Sequence, residues 1–360
     1  MKLSVPFIPD PGYADFLAGR KSALACLYFP LPADTVMDAR VRPPGVGGKN
    51  KPETDKLTTL LRPLKDVDKY ILANTRFVHP SLYSHPRQII DFLDGITALD
   101  ESVGIRGIVL TDAYLINALD RTGHDLIPEL EVIPGINSMI DCEDKFLAWL
   151  DLIHGTRFKT PHRLIPDRSL NRDLDRLEAL TRVVRQTLPG CRIELLANEG
   201  CIHQCPFKPA HDAHIAFSNT GLVREATWSL NHNLGCHSYL FSRPHTFLKS
   251  PFIRPEDVHR YKEIADGIKL GGRTLGPTFL KRVITAYSAR SFQGNLFDLM
   301  DAASFMADHF HLENTALGPE FFKSLTTCTN QCKPCRICDA LFTKAARKKA
   351  GQFNQYKDIS

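Results

Sequence analysis

The sequence predicts an α/β fold: a (β/α)8 TIM-like barrel with a C-terminal cysteine-rich extension. Three observations predict it. Short apolar runs of strand type alternate with longer segments of helical spacing, giving eight strand candidates in 360 residues. Several of these runs end in a polar residue or a glycine turn, as buried strands do when they deliver side chains at their C-terminal ends. The rival, a doubly wound open sheet, would announce itself with an early Gly-rich turn. Pro44-Gly45-Val46-Gly47-Gly48 has neither the preceding strand nor the spacing for one.

Taken in order, residues 1–20 are proline-rich and are expected to cover one end of the fold. Ala23 to Phe29 reads as a first strand closed by Pro30-Leu31-Pro32, with Asp38 and Arg40 in the loop beyond. Arg42 to Thr54 is rich in Gly, Pro and Lys and reads as an exposed, mobile loop. Tyr70 to Ala73 is a second strand with Asn74 and Thr75 at its end, and Pro86 opens a helix through Leu93. Ile108 to Leu110 is a third strand. Asp112 beyond it either faces the barrel mouth or caps the helix that begins near Ala113. Leu130 to Ile133 is a fourth strand, and Asp141 to Ile153 is helical.

The block Arg163 to Leu170 reads as a fifth strand followed by a cap. The helix Asn171 to Gln186 after it carries Leu174, Leu177, Leu180, Val183 and Val184 at close to helical spacing. Ile193-Glu194-Leu195-Leu196 is the sixth strand and runs into a glycine-containing turn with Cys201 and Cys205. Ser238 to Phe241 is taken as the seventh strand, and Pro255-Glu256-Asp257 opens a helix. Ile268-Lys269-Leu270 is the eighth strand, with Gly271-Gly272-Arg273-Thr274 as its loop and a helix from Pro277 through Tyr287. The barrel is thus expected over residues 1–291. The cysteine-rich extension, with a basic helix Lys344 to Lys349, is expected over 292–360.

Hydrophobic residues make up 43% of the chain and charged residues 24%, enough for a full core and against gross disorder. The net charge of +5 is a weak lean that permits an anionic substrate or RNA without arguing for either. No run reaches eighteen apolar residues, so no membrane span is expected, and the N-terminus shows no secretory signal. A cytoplasmic chain keeps its thiols reduced, so closely spaced cysteines favour metal over disulfides. Cys26, Cys142 and Cys191 are expected to be buried apolar residues.

The most specific signal is Cys328-x3-Cys332-x2-Cys335-x2-Cys338. These thiols stand beside Thr329, Asn330, Gln331, Lys333 and Arg336, surroundings too polar for core fillers. Structural zinc usually takes two distant Cys-x2-Cys pairs, whereas a single dense run suits a [4Fe-4S] cluster; zinc is the alternative. The spacing of the first three resembles that of radical S-adenosylmethionine enzymes, whose motif follows the first barrel strand rather than closing the chain. Cys201, Cys205 and Cys236 form a second candidate set near the predicted mouth, either a separate site or one shared with the tail. One cluster or two is left open. His203 and His237 flank these thiols.

No Gly-x-Ser-x-Gly or His-Glu-x-x-His motif is present, and His203 is too close to Cys201 along an extended segment to face it automatically. A redox reading makes Arg273 the anion-binding residue, because the preceding glycines admit a substrate carboxylate or phosphate to the backbone. Glu199 and His203 are then candidates for moving protons, with Asp112, Asp38, Arg40 and Asn74 at other strand ends. Lys344, Arg347, Lys348 and Lys349 offer a phosphate-binding tail for an RNA-modifying alternative, though the aromatic-basic interleaving of an RNA module is missing. A third possibility is an electron-transfer subunit working with a homologous partner or an electron donor.

The sequence resembles the U32 peptidase-like family. Arg163 to Leu170 followed by an acidic helix, Ile193-Glu194-Leu195-Leu196 running into Cys201, and Ala265 to Thr274 followed by a helix carrying Tyr287 bear the likeness. The resemblance implies a barrel with Cys201, Cys205 and Cys236 as iron–sulfur ligands. It also implies oxygen-independent hydroxylation, of a small or carrier-bound metabolite or of RNA bases, despite the peptidase name. The cysteine spacing departs from the family's, and the tail cysteines are unlike its best-known members, which points to a specialised branch.

Overall fold

The computed structural model describes residues 1–32, 37–40, 51–220, 227–332 and 334–349. Eight parallel strands form its centre: β1 (Lys2–Pro6), β2 (Leu24–Pro30), β3 (Asp68–Ala73), β4 (Gly107–Leu110), β5 (Glu131–Pro134), β6 (Arg163–Leu164), β7 (Arg192–Leu196) and β8 (Gly267–Lys269). They pair in the order β5-β4-β3-β2-β1-β8-β7-β6, which is chain order around a ring opened between β5 and β6. At the opening Glu131 still bridges Lys159 in parallel, so the TIM-like barrel is nearly closed.

The period of two along each strand explains the layers. Cys26, Tyr28, Tyr70, Leu72, Val109, Ile133 and Ile165 pack together as one internal cluster. Their neighbours Leu27, Phe29, Ile71, Ala73, Ile108, Leu110 and Val132 face the other way, into the larger core shared with the helices. The helix Pro86–Val103 buries Ile89, Phe92, Leu93, Ile96, Leu99 and Val103 there, a stripe at helical spacing. The helix Leu174–Thr187 does the same with Leu177, Leu180 and Val184.

The rest of the interior is ionic. Arg163 and Glu194 are 1% and 2% exposed and paired. Arg163 also donates to Asp68 at 2.7 Å, to the Ala25 carbonyl at 3.0 Å and to the Tyr70 hydroxyl at 3.3 Å. Ser4 donates to Glu194 at 2.6 Å. Glu131 is held by His162 and, at 2.7 Å, by Arg106.

Two strand assignments are corrected. Residues 1–20 are no mere cover: β1 lies here, followed by the helix Pro11–Ala18. β1 is short and carries Ser4 at its centre, turned inward to Glu194, which disguises a core strand as a polar terminus. Ser238 to Phe241 belongs to a helix, Cys236–Ser242. A four-residue aromatic run carries too little periodicity to separate the two, and here Leu240 is buried while Phe241 packs against Phe305 and His309. The segment opened by Pro255 is a 3-10 run, Pro255–Tyr261. The expected basic helix ends at Ala345, and Ala346–Lys348 form a strand antiparallel to Phe310–Leu312. Cys26 and Cys191 are buried as expected, whereas Cys142 is only partly so. The loop expected over Arg42 to Thr54 lies largely outside the described residues, and the helix Lys51–Leu61 takes its last positions.

Residues 292–349 share the barrel's core through Leu296, Phe297, Met300, Ala303 and Met306. Their first turn is pinned to the loop after β7: Asp301 N–H donates to the Asn198 carbonyl at 2.8 Å and Ala302 N–H to that of Glu199 at 2.6 Å. Among the described residues, no helix is long and apolar enough to cross a membrane.

Candidate active site at the barrel mouth

The C-terminal ends of the strands open into a cavity of about 450 Å³, lined by residues of the β1 to β5, β7 and β8 ends and by the segments around Cys205, Cys236 and Asp301. Asn198, fully buried, organises it. Its amide donates to the Leu299 carbonyl at 2.9 Å and the Gly271 carbonyl at 3.3 Å, and its oxygen accepts from Gly271 N–H at 2.6 Å. One side chain thus ties the loop after β7, the loop after β8 and the C-terminal segment together. Two glycines let these loops approach. Gly200 turns at φ +76° against Ala303, Met300 and Phe247, and Gly272 sits at φ +110° against the Phe279 ring.

The predicted mouth residues Asn74, Glu199, Cys201, Cys205, Cys236 and Arg273 all line this cavity. Arg273 is paired with Asp38, Arg40 with Asp301, and Glu199 with Arg168. Lys208 is paired with Asp212 at 2.8 Å and donates to Asn137 at 3.0 Å. Two other predicted residues are elsewhere. Asp112 is the cap of the helix Ala113–Arg121, accepting from Tyr114 N–H at 2.9 Å and from the Tyr83 hydroxyl. His203 lines a separate small cavity with Arg172, Arg176 and Cys328, and its buried Nδ1 has no hydrogen-bond partner. Burial, and then the Arg172 charge, pull its pKa down to about 4. His203 is therefore neutral near pH 7 and outside the mouth.

Lys269, which sequence reasoning placed in the eighth strand and in the family-like segment Ala265 to Thr274 without assigning it a role, is a site residue. It lines the cavity from the end of β8, only 8% exposed, with Nζ 3.3 Å from the centre of the Tyr28 ring. The Tyr28 hydroxyl is in turn held by the Leu270 carbonyl. Among the described cations of the cavity wall, Lys269 alone has no carboxylate within ion-pair distance. Burial lowers its pKa to about 8. The available signal was a lysine inside an otherwise apolar strand. Asp301 gave no such signal, because only the packing of the C-terminal segment brings it here.

The seven predicted ligand thiols fall into two groups. Cys201, Cys205 and Cys236 share the mouth, while Cys328, Cys332, Cys335 and Cys338 line a second cavity of about 610 Å³ outside the barrel. In the mouth, burial pushes the Cys201 thiol well up, with Glu199 adding to it, and pushes Cys236 up to about 11. Cys205 is raised by burial too. Among the described residues, no three His, Cys, Asp or Glu side chains converge as ligands of a single ion.

No family model matches the chain. A protein of Methanocaldococcus jannaschii, named "Uncharacterized protease MJ1657", is 29% identical over 262 residues, 72% of each chain. The solved U32 peptidase Mk0906 aligns over 75% of this chain and 92% of its own, at 13% identity and a TM-score of 0.45. Endonuclease IV from Thermus thermophilus aligns over 81% and 100%, at 13% identity and a TM-score of 0.37. The chain is a divergent homologue of this M. jannaschii protein over most of its length. Among the described residues, Cys201 and His203 do not form the nucleophile–base pair of a cysteine peptidase. A nucleophilic cysteine needs a depressed pKa and a base in reach, but Cys201 is raised and His203 faces another cavity.

Proposed function

We propose that the barrel mouth is the active site of an iron–sulfur oxidoreductase acting on an anionic small molecule or the anionic end of a carrier-bound one. The observation that carries this reading is the joint presence, in one cavity, of three thiols and a buried lysine without a carboxylate partner. Three thiols raised by burial suit a cation-bearing centre, because positive charge is what stabilises their thiolates. A cluster of several irons and sulfides also spans more space than one ion. Thiols that share a cavity without meeting at a point therefore fit it better than they fit zinc. Cys201, Cys205 and Cys236 would hold the cluster, which when bound supplies electron transfer or an open iron position for substrate.

The chain's own residues do the rest. Lys269 binds the substrate anion and, titrating near pH 8, exchanges a proton with it. Arg273 and Arg40, each neutralised and held in place by its aspartate, offer fixed N–H donors at the rim rather than net charge. Asn198 keeps the loops in register.

A second reading, peptide hydrolysis, is favoured by the printed name of the M. jannaschii relative. Anaerobic purification followed by iron and acid-labile sulfide analysis separates the two. Brown protein with iron and sulfide in near-equal amounts supports the redox reading. Colourless, iron-free protein that cleaves peptides, and stops when Cys201→Ala is introduced, refutes it. Arg273→Ala and Lys269→Met should each keep the iron of the parent protein. Lys269→Met should weaken binding of anionic ligands about tenfold or more, and Arg273→Ala by less, since Asp38 already neutralises it.

A further inference from the structure

The tail thiols stand apart from the mouth. None of Cys328, Cys332, Cys335 and Cys338 lines the mouth cavity, and none of Cys201, Cys205 and Cys236 lines theirs. We propose that these four cysteines form a second, independent iron–sulfur centre, built by the loop between the helices Phe321–Thr326 and Ile337–Ala345.

The loop is folded back on itself. Cys328 N–H donates to the Leu325 carbonyl at the end of the first helix, and Asn330 takes a left-handed conformation at φ +60°. Cys338 then enters with the first turn of the second helix. All four thiols reach one cavity as a result. Cys332 and Cys335 are exposed and Cys328 is partly so; Cys338 alone of the four also packs against the apolar core. Exposed reduced thiols in so polar a loop have no packing role to explain them.

The cavity wall is net positive: Arg172, Lys249, Lys323 and Arg336 line it against Glu320 and Asp339. Arg172 is only 6% exposed, yet lies on this wall. Its two terminal nitrogens are used on the Lys249 and Leu325 carbonyls, while its Nε is buried without a partner. A buried guanidinium with a spare donor, on the wall that the thiols share, is costly unless an anion answers it. Lys249 is also on this wall. A cluster held by four thiolates carries the net negative charge that these two cations would meet. The spacing within one run of eleven residues favours iron–sulfur over zinc, which prefers two separated pairs.

The segment Cys201–Cys205 connects the two places. Its cysteines line the mouth, while His203 and Gln204 line the small cavity shared with Cys328 and Arg172. The second centre therefore lies behind the first, with its own outer sulfurs open to solvent.

The test uses full-length protein purified anaerobically, with iron, sulfide and zinc measured on the parent, on Cys332→Ala/Cys335→Ala and on Cys201→Ala/Cys205→Ala. Folding of each is checked by far-ultraviolet circular dichroism. The proposal expects the parent to hold about twice the iron of either variant, with each variant keeping roughly half. A mouth variant that keeps all the parent's iron, with a tail variant that keeps none, overturns the mouth reading and leaves the tail centre standing. A tail variant with the parent's iron content, or a mouth variant with none, overturns the tail centre. So does one equivalent of zinc that the tail variant loses. Should the tail variant not fold, the mouth variant decides alone: iron and sulfide at about half the parent's amount uphold the tail centre.

Discussion

Replacing Arg163 with Met should destabilise the barrel more than any change at the mouth. The side chain is 1% exposed, and its removal leaves the Glu194 carboxylate, 2% exposed, with the Ser4 hydroxyl at 2.6 Å as its one hydrogen-bond partner among the described residues. Asp68 loses less, being partly exposed and 3.7 Å from His162. Orphaning one charge of a buried pair costs about 3–5 kcal/mol, most of it the burial of the charge left behind. Unfolding entropy of about 2.1 cal/mol/K per residue gives roughly 0.8 kcal/mol/K for this chain, so the midpoint should fall by about 4–7 °C. Differential scanning calorimetry at pH 7 reads this directly. Adding Glu194→Leu removes the orphaned charge and should recover more than half of the loss, which a simple cavity at Arg163 would not allow. A single variant within about 1 kcal/mol of the parent, or a double variant worse than the single, refutes the assignment of an ionic barrel interior.

Two further outcomes follow from the same structure. Gly272→Ala forces a side chain onto φ +110°, with its Cβ 2.1 Å from a Phe279 ring atom. It should cost about 1–3 kcal/mol from the backbone alone and distort the Arg273 loop. Phe279→Ala should relieve the clash but not the backbone strain, and an unchanged melting midpoint in Gly272→Ala would contradict this. Stability should also peak in weakly acidic solution. Burial pulls His162 down, but hydrogen bonds to Asp68 and Glu131 and the Glu131 charge outweigh it, so its pKa is raised. Burial likewise raises Glu131, yet His162 and Arg106 bring it below its ordinary value. The His162 contribution is fully present below about pH 6.5 and is lost as pH rises through its folded pKa. The Glu131 contribution is present above about pH 4.3 and is lost as pH falls through its own. His162→Gln should flatten the alkaline side of a urea-denaturation profile, and parallel profiles for the two proteins would refute the coupling.

The sequence by itself determined the barrel, because buried parallel strands are apolar on both faces and announce themselves as short runs between amphipathic helices. Asn74, Cys201 and Arg273 were legible as mouth residues for the same reason: each follows a strand end. Local pattern failed where tertiary context outweighs it. β1 carries an inward serine that makes sense only through its tertiary partners, Cys26 and, 190 residues away, Glu194. Cys236 begins a helix whose few residues read equally well as a strand. Asp112 shows a strand-end carboxylate satisfied locally, by the helix it caps, while Lys269 shows the opposite case of a strand lysine facing into the site. The division of seven thiols between two cavities was out of reach of spacing alone. Cys201 and Cys205 are separated from Cys328 by more than a hundred residues, and only packing decides whether such segments meet at one point or on either side of a shared turn.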